Sequence, residues 1–155
     1  MRANALTRAW LTGLLGIACL SGAHAAGCNI TGGWVSFGAY DPRAIAPLDT
    51  AGTLALDCNG NVDAGLSLSV GVGTGASYSG GRRMTQIGGP ATLIYNIYAD
   101  PARALVLGDG TDGSRILRIV GKKDLSQIIY ARIPALQRSV QAGIYGDIVI
   151  ATISY

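Results

Sequence analysis

Short runs in which apolar residues alternate with small or polar ones fill this chain, and clusters of Gly, Asp, Asn and Pro separate them. Leu66, Leu68, Val70 and Val72 alternate with Ser67, Ser69 and Gly71, the period of a strand with one face in a core and one in solvent. The same reading predicts strands over Asn29–Phe37, Thr53–Cys58, Gly65–Val72, Thr92–Ala99, Arg115–Val120, Gln127–Ile133 and Gly143–Tyr155. Between them lie Asp41-Pro42, Asn59-Gly60-Asn61, Ser79-Gly80-Gly81, Gly88-Gly89-Pro90, Asp100-Pro101 and Asp109–Gly113, turn signals that supply a positive or a fixed φ. Pro101–Leu107 has room for a helical turn, and no run supports a long helix. Seven strands at this spacing predict a two-sheet sandwich, with a closed barrel as the alternative.

The final run, Gly143–Tyr155, is the most informative. Tyr145, Val149, Ala151, Ile153 and Tyr155 share one face, and Ile148, Ile150, Thr152 and Ser154 share the other. A strand apolar on both faces is expected inside a sheet or sandwich. Here it has no later strand to cover it, which predicts that something outside the polypeptide completes the sheet.

Residues 1–25 are expected to be a signal peptide, leaving residues 26–155 as one domain. Arg2 and Arg8 make a basic start, Trp10–Leu20 is a short apolar run, and Ala23-His24-Ala25 fits an A-x-A cleavage site. The run is too short to span a bilayer, so no stable membrane insertion is expected. A lipoprotein reading of Ala25-Ala26-Gly27-Cys28 lacks the usual Leu and would leave Cys58 without a partner. Cleavage removes Arg2 and Arg8 from the 12 basic residues, which leaves ten against nine Asp, a net charge of +1. That balance offers no electrostatic footprint for nucleic acid. Glu is absent and Gly numbers 23, which disfavours helix and, with the many Val, Ile, Thr and Tyr, points to an all-β fold. Cys19 leaves with the signal. Cys28 and Cys58 then read most simply as one disulfide, worth roughly 3–4 kcal/mol in the chain-entropy view. Two free thiols are the alternative, which an oxidising compartment disfavours.

Candidate chemistry is sparse. Asp109-Gly-Thr-Asp112-Gly113 lacks the alternating acids and closing Glu of a calcium loop and reads as a hairpin turn. Gly71-Val-Gly73-Thr-Gly75-Ala76 has no helix start after it, as phosphate binding would need. Arg82-Arg83-Met84 and Lys122-Lys123 read as solvated loop ends, with contact to an acidic partner surface as the second reading. The single His is His24, inside the signal, so nucleophilic and zinc chemistry lack parts. No catalytic, metal or cofactor site is proposed.

Several phrases stand in a fixed order: Cys28 at the head of the domain, Phe37-Gly-Ala-Tyr40-Asp41, Leu56-Asp-Cys58, Arg83-Met84, Tyr95-Asn-Ile-Tyr98-Ala-Asp100, Arg132-Ile-Pro134 and Gly143-Ile-Tyr145-Gly-Asp147. Together they resemble the spore coat protein U domain, the subunit fold of archaic chaperone–usher pili, across residues 28–155. The resemblance implies an incomplete immunoglobulin-like β-sandwich that lacks its final strand and so has a hydrophobic groove between its first and last strands. It implies a periplasmic pilus chaperone that fills the groove and holds the C-terminal carboxylate with basic side chains. It also implies an outer-membrane usher, where a neighbouring pilus subunit donates the strand instead. The expected role is then a structural or adhesive subunit of a fibre, exported through the periplasm to the cell surface. By resemblance Cys28 pairs with Cys58. Val149, Ala151, Ile153 and Tyr155 line one edge of the groove, with Val35 and Phe37 opposite. Gly38, Tyr40, Asp41, Tyr95, Tyr98 and Gly143 belong to the family pattern, and Tyr145 and Asp147 fix the start of the last strand.

One departure matters. A polymerising subunit carries a donor segment of a dozen or so residues before its first cysteine, and only Ala26 and Gly27 stand between the expected cleavage site and Cys28. Two residues span at most about 7 Å, too little to donate a strand. The expectation is a tip or other chain-end subunit that accepts a strand and gives none. Two competing readings are a self-sufficient carbohydrate-binding sandwich using Tyr40, Tyr78, Tyr95 and Tyr98, and a secreted enzyme. N-terminal sequencing of exported material should return a chain beginning at Ala26. A start well upstream would remove the chain-end reading.

Overall fold

The computed structural model describes residues 27–60, 62–73, 77–121 and 125–154. The expected signal peptide, Lys122-Lys123 and Tyr155 lie outside these. The described residues form strands and turns only: β1 Cys28–Trp34, β2 Leu48–Cys58, β3 Val62–Val70, β4 Arg82–Gln86, β5 Thr92–Tyr98, β6 Leu117–Gly121, β7 Leu125–Ile133, β8 Tyr145–Gly146 and β9 Ala151–Ser154. They make a six-stranded sheet, β1-β2-β7-β5-β4-β8, and a three-stranded sheet, β6-β3-β9. All named pairings are antiparallel. The architecture is the expected immunoglobulin-like sandwich.

Alternation explains where the core sits. Leu66, Leu68 and Val70 of β3 turn inward onto Leu54 and Leu56 of β2, Leu93, Tyr95 and Ile97 of β5, and Ile129 and Ile133 of β7. Each such side chain contributes about 1.5–3 kcal/mol by leaving water. Cys28 and Cys58 stand opposite each other at the β1–β2 end, with Cα atoms 4.0 Å apart, and form the disulfide.

The structure corrects three expectations. First, the final run is not one strand. β8 pairs with β4 in the larger sheet and β9 pairs with β3 in the smaller one, and residues 147–150 cross between the two layers. Its outer face is not covered either, because Ile148 and Ile150 lie exposed. Second, Pro101–Leu107 holds no helical turn. The Asp100 carboxylate accepts the N–H groups of Ala104 and Leu105 (3.1 and 2.7 Å), and Arg103 adopts a positive φ of 58°. Third, Arg82-Arg83 is not a solvated loop end but the start of β4, with Arg83 exposed and Arg82 fully buried.

Arg82 is a structural cation. Its Nε donates to Gly71 O (2.9 Å), Nη1 to Asn96 Oδ1 (2.7 Å), and Nη2 to Val70 O (3.0 Å) and Leu107 O (2.7 Å). The guanidinium also lies 5.1 Å from the centroid of the Tyr78 ring. β3 ends at Val70, and buried carbonyls there and in the Leu107 turn are costly without a donor. One side chain satisfies three of them and ties the end of β3 to β5 and to the Leu107 turn. Arg82→Met is therefore expected to lower stability by about 3–5 kcal/mol in denaturant unfolding. Arg83→Met, one residue further on and exposed, should cost less than about 1 kcal/mol.

Candidate strand-acceptor groove

The sandwich is closed along one side only by side chains. β1 is an edge of the larger sheet and β9 an edge of the smaller one. Their free edges face each other across a cleft of about 480 Å³. Gly33–Val35 and Phe37 form one wall, and residues 145–149 with Ala151 form the other. The floor is the core itself, including Leu54, Val70, Ile97 and Ile129. Past Val35, Phe37, Met84 and Tyr145, which line both spaces, the cleft opens into a second one of about 830 Å³. There Gly38–Arg43 and Val140–Ile144 are the walls, and Leu93 and Ile133 the base. The two make one long apolar groove.

Local chemistry shapes the walls. Gly52 of β2 lets the backbone approach closely, since a Cβ there would collide with Trp34 O and the Val35 side chain. The Thr50 hydroxyl donates to Ser36 O (2.9 Å) and holds the irregular segment after β1. Gly38 takes a φ of 72°, a conformation glycine adopts freely. Tyr40 then donates its hydroxyl to Pro134 O (2.8 Å) and accepts the Gln137 N–H (3.1 Å). Asp41 closes the following turn by accepting the Arg43 N–H (2.9 Å). On the far wall, a Cβ at Gly143 would strike the Gln86 amide, which donates to Ala142 O (2.9 Å). Tyr145 donates to Gln141 O (2.7 Å).

One polar pair sits in this apolar setting. Tyr95 meets Phe37 edge to face, with centroids 6.0 Å apart, and its hydroxyl donates to Asp147 Oδ2 (2.9 Å). Asp147 Oδ1 accepts the N–H of Ile148 (2.9 Å). The bond joins the core to the residue where the chain leaves β8 and starts towards β9. Burial is the main cause of a pKa for Tyr95 well above the ordinary tyrosine value, and the Asp147 carboxylate adds to it. Tyr78 and Tyr98 are also raised, chiefly by burial.

The structure brings most of the expected residues together. Val35, Phe37, Val149 and Ala151 line the groove. Gly38, Tyr40, Asp41, Gly143 and Tyr145 line its wider continuation. Asp147 belongs to the second wall, and Tyr95 also lines the groove. Ile153 packs on the core but does not line the groove. Tyr98 stands apart, opposite Tyr130 on β7 and out of phase with the inward Ile97. Tyr155 lies outside the described residues. Met84, Leu93 and Val140 also line the groove without having been anticipated. Val140 follows a stretch with no periodicity, and Met84 hid behind two arginines. Of the four tyrosines weighed as sugar contacts, Tyr78 and Tyr95 are buried in the core, and Tyr40 is half-buried with its hydroxyl bonded to backbone.

Sequence comparison agrees with this architecture. The family model described as Spore Coat Protein U domain matches residues 15–152, and the chain belongs to that family. It is 28% identical over 144 residues to Protein U of Myxococcus xanthus, a match that spans 88% of this chain and 79% of that protein. Among solved structures it resembles a chain of the CsuC–CsuE chaperone–tip adhesion subunit pre-assembly complex from archaic chaperone–usher Csu pili of Acinetobacter baumannii. The TM-score is 0.51 at 16% identity, and the match covers 84% of this chain and 40% of that one. That likeness is one of fold.

The buried tyrosines set an alkaline limit. Their raised folded-state pKa values mean that the native state keeps protons the unfolded chain loses from about pH 10 upward. Their contribution is complete below that pH and is lost as the pH rises. Tyr95→Phe should cost about 1 kcal/mol at pH 7 through the lost bond to Asp147. In chemical denaturation between pH 10 and 12 its stability should fall less steeply than that of the parent, by up to about 1.4 kcal/mol per pH unit. Parallel profiles would show that Tyr95 ionises freely in the folded state.

Proposed function

We propose that this protein is a structural or adhesive subunit of a surface fibre built by the chaperone–usher route, and that a partner's strand completes its sandwich. The groove between the free edges of β1 and β9, floored by core side chains, carries this reading. A strand laid there finds unpaired backbone groups on both edges and alternate apolar sites beneath it. A periplasmic chaperone occupies the groove first, and a neighbouring subunit replaces it at an outer-membrane usher on the way to the cell surface. Folding is completed in trans, and no covalent bond of a substrate changes. Membership of the spore coat protein U family supports the reading, as does the fold shared with a chain of a chaperone–subunit complex. The finer reading, a tip or other chain-end position, rests on cleavage after Ala25, which leaves Ala26 and Gly27 before Cys28.

Expressed in the periplasm alone, the subunit should aggregate, because a long apolar edge invites uncontrolled pairing. Co-expression with a dedicated chaperone should yield a soluble one-to-one complex. Val149→Asp, which places a charge on the groove wall, should reduce recovery of that complex on the order of tenfold to a hundredfold. A chaperone-free domain that is monomeric and unfolds cooperatively with no added strand would overturn the proposal.

A further inference from the structure

Of Asn4, Asn29, Asn59, Asn61 and Asn96, only Asn59 is followed by glycine. Asn59-Gly60 comes directly after β2 and lines neither part of the groove. Asn59 is exposed and Gly60 half-buried. The β1–β2 ladder closes on Cys28 and Cys58, and Asn59 adds a rung beyond it, its N–H donating to Gly27 O (2.9 Å). The side chain folds back onto the same residue, and Oδ1 accepts the Gly27 N–H (2.6 Å). The Cys28–Cys58 disulfide, next to both residues in the chain, holds them in place. No described residue accepts the Gly60 N–H. The other described asparagines differ. Asn29 is exposed but sits inside β1 with β-branched Ile30 after it. Asn96 is buried, its amide donating to Tyr78 O (2.9 Å) and accepting from Arg82 Nη1 (2.7 Å).

The amide carbon of an asparagine lies within reach of the next residue's backbone nitrogen, and closing that ring is an intramolecular step with little entropy left to lose. In most sequences the next side chain crowds the approach, and glycine has none. At Asn59 a further element is in place. The Gly27 N–H already donates to the oxygen on which charge develops during attack, the arrangement of an oxyanion-hole donor. We infer that Asn59 is a site of spontaneous covalent modification, with Gly27 as its oxyanion donor. The Gly60 nitrogen bonds to Asn59 Cγ, the Cγ–Nδ2 bond breaks, and Nδ2 leaves as ammonia with the proton that Gly60 gives up. A water then opens the cyclic imide. Opening at Cγ leaves aspartate at position 59. Opening at the backbone carbonyl leaves isoaspartate, whose main chain runs through Cβ and Cγ. Nothing is oxidised or reduced. Either product adds a negative charge beside the disulfide, and isoaspartate also lengthens the exit from β2 by a single carbon.

The test follows the amide in the folded, disulfide-bonded protein, in whatever assembly it is recovered. Samples held at neutral and at mildly alkaline pH are digested, and each asparagine peptide is read by mass spectrometry. Isoaspartate is counted with an isoaspartyl methyltransferase. Conversion at Asn59 should run on the order of tenfold or more ahead of Asn29 and Asn96, should quicken with pH, and should yield isoaspartate. Gly60→Ala should slow it on the order of tenfold by crowding the attacking nitrogen. Gly27→Pro, which removes the donor to Oδ1, should also slow it on the order of tenfold. In the reduced and denatured chain Gly27→Pro and the parent should react at equal rates, since the donor is then out of place. Conversion at Asn59 no faster than at Asn29 would overturn the inference, and so would a parental rate in Gly60→Ala. A parental rate in folded Gly27→Pro, or an equal slowing in the denatured chain, would remove Gly27 from the site.

Discussion

The fold depends on how one segment serves two layers. Residues 145–146 belong to the larger sheet, residues 151–154 to the smaller one, and four residues bridge them. Because β9 pairs with β3 on one side only, the smaller sheet ends where β1 ends the larger one. The opening between those edges is a cleft that runs along the core. Its floor carries Leu54, Val70 and Ile129, all buried members of the core. The remaining features of the groove hold that opening in shape.

Two polar arrangements do most of this holding. Arg82 places a charge in the core and satisfies it with three carbonyls and an amide oxygen, so the strand ends it touches cannot drift without leaving buried groups unpaired. The Tyr95–Asp147 bond fixes the point where the chain leaves the larger sheet. A slip of one residue there would turn Val149 and Ala151 outward and Ile148 and Ile150 inward, reversing both faces of the wall. Apolar contacts alone would penalise that slip weakly, since both sets are hydrophobic. A single carboxylate that must meet a single phenol discriminates between the two registers.

Much of this was legible in the sequence where the pattern was regular. The alternation at Leu66–Val70 and the pair Cys28 and Cys58 placed β3 and the β1–β2 end directly. Val35, Phe37, Val149 and Ala151, named through the family resemblance, line the cleft. β4 was not legible, because two adjacent arginines look like solvent-facing charges, and only the carbonyls of Val70, Gly71 and Leu107 make a buried guanidinium favourable. The break at residues 147–150 was equally hidden. Alternation continues unbroken through it, and a change of pairing partner leaves no trace in a period of two.

The amino-acid sequence by itself determined the strand-rich class, the disulfide partners and the excess of apolar surface on the last segment, because composition, spacing and periodicity are local properties. Only the tertiary structure decided which sheet each half of that segment joins, that Arg82 is buried, and that a wall of the groove is built from residues 140–144. Those outcomes depend on which distant backbone groups need partners, and hydrogen-bond demand between elements far apart in the chain is written in no single stretch of it.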